Sequence, residues 1–275
     1  SGADKTNRNF SIFPTLSELF AKRLPARVAG ERVVRLDKGH DILIEGAATE
    51  QINEKVKANT FAVQPPNYFG IKPIPKVVVA VGDSVKAGDE LFFDKQYPDV
   101  KYVAPVSGEV IAINRKEKRA IKEIVILADK KQSSRALPKI NLDEVSREDL
   151  VAFMSEYGAF SMIRQRPYNV VVDPAEVPVN IFVSTFYTAP LAPNLNFVVE
   201  GNEDAFAAGL KALGKMTSGQ VHLGLDGKSE QDPSTAYTAA EGVVKTYFHG
   251  AHPAGNVGIQ IHHTAPINSN ETVWT

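Results

Sequence analysis

The sequence predicts an α+β multidomain chain, and three features carry that expectation. From Val77 to Ile113, short β-branched runs are cut by Gly82-Asp83 and Gly88-Asp89 and closed by Ala104-Pro105-Val106-Ser107-Gly108, the pattern of a hairpin-rich β module. Beyond Ser146, apolar strands alternate with amphipathic helices, as a parallel sheet with covering helices requires. At 275 residues the chain has room for roughly two domains, each with its own core.

Composition narrows the function classes. With 43% hydrophobic residues, 23% charged and a net charge of -1, there is no global field for nucleic acid, so none is expected as a partner. The longest apolar runs, such as Val77 to Val81 and Ile181 to Val183, fall far short of the roughly 18 to 20 residues that span a bilayer. Phe10 to Phe20 is interrupted by Pro14, Ser17 and Glu18 and does not read as a signal peptide, so a cytoplasmic location is expected; Ser1-Gly2 reads as a tag remnant. Cysteine is absent, which removes disulfides, iron-sulfur ligation, thiolate zinc sites and cysteine nucleophiles together. Any electron transfer must then rely on partners that carry the electrons.

Residues 1–30 read as a basic extension in which Leu16, Leu19, Phe20 and Leu24 share a helical face until Pro25, either packing on the domain behind it or docking a partner. Residues 31–130 read as the β module. Its expected strands open with Val33 to Leu36 and Ile42 to Ile44, continue through Val77 to Val81, and end with Ile121 to Leu127; Val77, Val79, Val81, Val85, Leu91 and Phe93 are expected to face inward. Asn114 to Arg119 is a basic hairpin tip, a solvated turn or a dock for an acidic partner or lipid headgroups. Residues 131–146 are a polar linker.

Residues 147–275 form the α/β part. Ser146 and Asp149 make a capping box for a helix whose stripe is Leu150, Phe153, Met154 and Tyr157, ended by Gly158. Strands are expected at Val179 to Val183, Val221 to Leu225 and Val243 to Phe248. Asn202 is expected to cap a helix burying Phe206, Leu210 and Leu213, and residues 234–241 to form a short helix. The alternation is Rossmann-like in outline, yet no G-x-G-x-x-G follows any strand.

Two segments could carry chemistry. His249 to His263 holds glycines 250, 255 and 258, whose backbone amides could approach an anion or a flat ring, so it reads as a structural or ligand-facing loop. Its four histidines lack a compact ligand spacing with a carboxylate, and no metal is expected. Arg164 and Arg166, ahead of Tyr168, lie on one side of an extended segment, to grip a carboxylate or phosphate, to meet an acidic neighbouring face, or to form internal salt bridges. The candidate ligand- or interface-facing residues are therefore Arg164, Arg166, Tyr168, Gly250, His252, Gly255, Gly258 and His262, with no catalytic residue among them.

The first module resembles the biotinyl/lipoyl-like barrel-sandwich hybrid. Its hairpin reads Phe93-Asp94-Lys95-Gln96, without the methionines of a carrier and with Lys95 nine residues before Ala104, so the scaffold matches and the swinging-arm chemistry does not. Over Val33 to Trp274 the chain resembles the NqrA family, one of the subunits of the Na+-translocating NADH:quinone oxidoreductase. The resemblance rests on Lys38-Gly39-His40-Asp41-Ile42, Tyr68-Phe69-Gly70-Ile71-Lys72-Pro73, Val81 to Gly88, Ala104 to Gly108, Arg164 to Tyr168, Gly250 to His262, and Glu271-Thr272-Val273-Trp274, in collinear order. It implies a barrel-sandwich hybrid followed by a Rossmann-like α/β domain, in an N-terminal fragment of a peripheral subunit on the cytoplasmic face of the bacterial inner membrane. It further implies a share in NADH-to-quinone electron transfer coupled to Na+ export. Implied partners are the other subunits, especially the integral membrane subunit NqrB, and quinone. No cofactor is implied on this chain itself; FMN, FAD, riboflavin and iron-sulfur belong to the sibling subunits. A biotin or lipoyl carrier and a nucleotide-binding enzyme using the Gly-rich loop are the alternatives.

Overall fold

The computed structural model describes residues 24–54 and 57–275. The run through Leu16, Leu19 and Phe20 lies outside them. Behind it, Leu24 packs on the core, Val28 is buried, and Arg27 donates to the carbonyls of Asp226 and Ser229.

The first strand, β1 (Val33–Arg35), corrects the predicted module. It pairs in parallel with a strand near the other end of the chain, Val33 opposite Tyr247 and Arg35 opposite His249, and so joins the α/β sheet. The expected strand at Ile42 to Ile44 does not form: the segment is irregular and all three side chains are exposed. A β-branched run satisfies strand propensity wherever it sits, but without a ladder partner that propensity builds nothing.

Turn chemistry shapes the β module as expected. The carboxylates of Asp83 and Asp89 each accept a backbone amide from three residues back, Ala80 and Lys86, both at 2.7 Å. Around these turns run β2 (Thr60–Val63), β3 (Lys76–Val77), β4 (Ser84–Val85), β5 (Glu90–Asp94), β6 (Tyr97–Val103), β7 (Gly108–Arg115) and β8 (Ile121–Ala128). They form a four-stranded sheet, β2-β8-β7-β4, and a three-stranded sheet, β3-β5-β6. Leu91, Phe92, Val110, Ile124 and Ile126 are buried in the core, with Phe92 stacked on Tyr102 at 4.7 Å. Two expectations fail here. The Val77 strand ends after two residues, leaving Val81 61% exposed. Phe92 is buried in place of Phe93, because register shifts flank Phe92 and Phe93 in the β5–β6 ladder and break the period of two.

The linker is pinned to this module. Ser107, fully buried, accepts the Ser133 amide at 3.0 Å, and its own amide donates to Gln132 Oε1 at 2.8 Å. Helix α1 (Arg147–Glu156) follows, with Ser146 Oγ accepting the Asp149 amide at 3.0 Å, and packs against β6.

Strands β9 (Arg164–Arg166), β10 (Val170–Val171), β11 (Asn180–Ser184), β12 (Gln220–Asp226), β13 (Val243–His249) and β14 (Val273–Trp274) complete, with β1, a seven-stranded sheet ordered β1-β13-β12-β11-β14-β9-β10. The five strands from β1 to β14 are parallel; β9 and β10 close the far edge antiparallel. Helices α2 (Leu195–Val199), α3 (Glu203–Gly214), α4 (Thr235–Thr238) and α5 (Val257–Thr264) connect them. Successive β11 residues serve different clusters: Ile181 packs with Leu210 of α3, and Phe182 with Ile261 of α5. Asn202 precedes α3, but its side chain donates to the Glu200 carbonyl and caps nothing. Half of the predicted Gly-His loop is helix, since α5 begins at Val257.

His222 of β12 stacks on Phe182 at 4.6 Å. Its Nε2 lies 3.3 Å from Asn180 Oδ1, an oxygen that can only accept, so the proton sits on Nε2 and the buried Nδ1 has no partner. Burial, then the charge of Arg32, holds this ring below the ordinary histidine range. The neutral ring's stabilisation is therefore full above about pH 6.5 and is lost as pH falls from there through the lowered folded-state value. His249, lowered by burial and then Arg35, acts in the same direction. Urea midpoints from pH 7.5 to 5 should fall for the wild type and fall less for His222→Phe; parallel curves would refute the assignment.

Candidate functional site

The strand order places a crevice. From β11 the chain steps to β12 and β13, then returns through α5 to β14 on the opposite side of β11, so the order reverses between β11 and β14. In open α/β sheets, ligands bind outside the carboxyl ends of the strands at such a reversal. A cavity of about 600 Å³ opens there, lined by the end of β11 (Phe182, Val183, Ser184), Thr275 after β14, Arg166 of β9, Tyr187, and Gly255 to Ile259.

Local contacts hold its wall. Gln260, 1% exposed, donates through Nε2 to Ser184 Oγ at 2.9 Å and to the Ala254 carbonyl at 3.3 Å. Ser184 Oγ lies within donating distance of the Phe186 and Gly255 carbonyls, at 3.1 and 3.3 Å. Gly224 makes room for that glutamine, since a Cβ there would lie 2.2 Å from Gln260 Oε1. Gly255 passes so close to the next loop that a Cβ would lie 2.6 Å from the Thr188 amide. The glycine therefore serves chain packing here, and the backbone cradle lies one step on: Asn256 supplies no side-chain cap to α5, and the first-turn amides of Val257 and Gly258 have no intrahelical acceptor.

Arg166 Nε is 3.3 Å from Thr275 Oγ1, and the guanidinium is half-buried. Burial first, then the charge of Arg164, pulls Arg166 below the usual guanidinium value; such a group still stays protonated in proteins. The lining thus offers a fixed cation, hydroxyls and open amides over an apolar floor. Its lining has no side-chain carboxylate, imidazole or thiol, and the arrangement suits the binding of an acceptor-rich group.

The predicted residues divide. Arg166, Gly255 and Gly258 meet in the crevice. Arg164 pairs through its backbone with Thr275, at 2.8 Å in both directions, while its guanidinium donates to the carbonyls of Ser161 and Ile163. Neither arginine forms an ion pair among the described residues, which corrects the salt-bridge alternative. Tyr168 is 80% exposed at the β9–β10 turn. Gly250 packs on Leu36, where a Cβ would come within 2.7 Å of Leu36 Cβ. His252 faces Thr188, Nδ1 to Oγ1 at 3.0 Å, and its amide donates to Asp41 Oδ1 at 3.1 Å. Asp41 also receives Lys228 Nζ at 2.5 Å, and these bonds, Lys228 first, lower its carboxyl pKa. Asp41, of the Lys38-Gly39-His40-Asp41 motif, thus staples its segment to the Gly-His loop. His262 lies on a separate groove with Arg35 and Lys38. Among the described residues, no group of three or more histidines, aspartates or glutamates could hold a metal ion, and no helix is long and apolar enough to cross a membrane.

Sequence reasoning missed Ser184, Tyr187 and Thr275. The signal was their position just past apolar strands, legible only once β14 is known to lie beside β11.

A family model described as the NqrA N-terminal barrel-sandwich hybrid domain matches residues 34–129, and one described as the NqrA second alpha/beta domain matches residues 145–275. The NqrA subunit of the Na(+)-translocating NADH-quinone reductase of Saccharophagus degradans is 36% identical over 246 residues, covering 88% of this chain and 54% of the relative. The proteins of the same name from Alcanivorax borkumensis and Pseudomonas aeruginosa are 35% and 34% identical over 246 and 244 residues, covering 88% of this chain and 54% and 53% of those relatives. The chain spans about half the length of the curated relatives it matches. With a mixed α/β architecture, both modules matched in order, and like-named relatives along most of its length, the chain belongs to the NqrA family.

Proposed function

We propose that this chain acts in a Na+-translocating NADH:quinone reductase as a peripheral subunit on the cytoplasmic face of the bacterial inner membrane, supporting electron transfer without carrying a redox group. Its second module serves as a Rossmann-like unit whose switch-point crevice meets an acceptor-rich group, a quinone headgroup or a segment of a sibling such as the integral membrane subunit NqrB. The observation that carries this reading is a crevice with a half-buried guanidinium, Arg166, and the first-turn amides of α5 over an apolar floor, in a chain whose modules both match NqrA. Flavins and iron-sulfur centres are assigned to the sibling subunits.

A carrier role for Lys95 finds less support. Lys95 is exposed on the β5–β6 turn, but the hairpin is tied down: buried Asp94 accepts the amides of Lys72 and Gln96, both at 3.0 Å, and β6 packs on α1. The hairpin also lacks the flanking methionines of a carrier.

The tagged chain, made in a native host and purified from detergent-solubilised membranes, should bring down flavin-bearing membrane subunits. A soluble monomer that reduced quinone with NADH unaided would overturn the proposal.

A further inference from the structure

We propose that the tip of the β7–β8 hairpin is a docking point for an anionic lipid surface. At the tip, Lys116 N donates to the Ala120 carbonyl at 2.7 Å and Ala120 N to that of Glu117 at 3.2 Å, which makes Glu117 to Ala120 a tight turn. Its two central residues, Lys118 and Arg119, have φ of 54° and 63°. Positive φ at both central positions defines the turn that Asn-Gly fills at least cost, and long L side chains are strained there.

Among the described residues, neither the Lys118 nor the Arg119 side chain makes a hydrogen bond or ion pair that would offset that strain. The contact made at this end by Arg115 is a hydrogen bond to the backbone carbonyl of Arg119, at 3.2 Å. Among the described residues no ion pair includes Lys72, Lys76, Arg115, Lys116, Lys118 or Arg119. The first two belong to this surface because Ile121 N donates to the Pro73 carbonyl at 3.2 Å, laying residues 72–76 beside the base of the hairpin, with Ile74 exposed among the cations. In a chain of net charge -1 this is a local concentration of positive charge, facing outward from a turn that a neutral sequence would form more stably. Unpaired cations on a convex tip with an exposed aliphatic neighbour complement a plane of anionic headgroups. The choice of lipid over a soluble polyanion rests on the membrane-side placement proposed above.

The test is sedimentation of the 275-residue chain with vesicles of phosphatidylcholine alone and of an equimolar mixture with phosphatidylglycerol. Binding should require the anionic lipid and be released by salt. The double variant Lys118→Asn/Arg119→Gly should bind about 25-fold more weakly, from roughly fivefold per cation. It should also melt about 2–6 °C higher, because the turn is relieved. Gain of stability with loss of binding excludes misfolding as the cause. Equal binding to neutral vesicles, an unchanged variant, or a variant that melts lower would overturn the proposal; so would retention on a polyaspartate matrix without vesicle binding, which would assign the tip to an acidic protein. The vesicles contain no sibling subunit and the solubilised co-purification contains no bilayer, so the two proposals fail separately.

Discussion

Trp274→Ala is expected to cost about 3–5 kcal/mol of folding free energy, the usual range for truncating a fully buried tryptophan. Trp274 is 0% exposed on β14, between β11 and β9, with its indole edge-on to Phe160 at 5.7 Å. Its removal opens a void in the strand that carries Thr275 to the crevice. The indole Nε1 has no acceptor, so Trp274→Phe keeps most of the apolar area, sheds an unpaired donor, and should cost far less than the alanine variant. The chain has a single tryptophan, so its own fluorescence cannot follow the alanine variant, and urea unfolding should be read by circular dichroism. A loss below about 1 kcal/mol would contradict the packing described.

Gly108→Ala should be as damaging by the opposite route. A Cβ at Gly108 would lie 2.0 Å from the Leu127 carbonyl oxygen and 2.8 Å from its carbon. Both are backbone atoms of β8, and Gly108 is itself paired on both sides, to Val85 and to Ala128. No side chain can swing away, so β7 must separate from β8, and the neighbouring Ser107, which anchors the linker, moves with it. A loss of about 3 kcal/mol or more is expected, or insoluble expression. Gly209→Ala is the control. It lies in α3 with nothing within 4 Å of the added carbon, and should raise stability by up to about 1 kcal/mol. Equal melting temperatures for the two variants would refute the steric account.

What could be read in advance shares a physical scale. Asp83 and Asp89 cap turns three residues away, Ser146 caps α1 three residues away, and these bonds form as the spacing requires. Asn202 shows the limit of such reading, because a capping residue type at the right position can turn its side chain to another carbonyl. Helix α5 was hidden by its low-propensity surroundings. Gly255, Asn256 and Gly258 read as loop, and the helix persists because Ile261 packs on Phe182 and Gln260 reaches Ser184, partners more than 70 residues away.

Turns, caps, module order and family membership were therefore present in the sequence itself, since each depends on neighbours within a few residues or on motifs in linear order. Tertiary structure alone decided that Val33 to Arg35 pairs with β13 and that β14 lies beside β11. It also decided that Arg166 and the start of α5, some ninety residues apart in the chain, share one cavity. A parallel ladder joins segments whose local patterns are interchangeable, so which strands meet is settled by the packing of the whole sheet, and the crevice exists only once that order is complete.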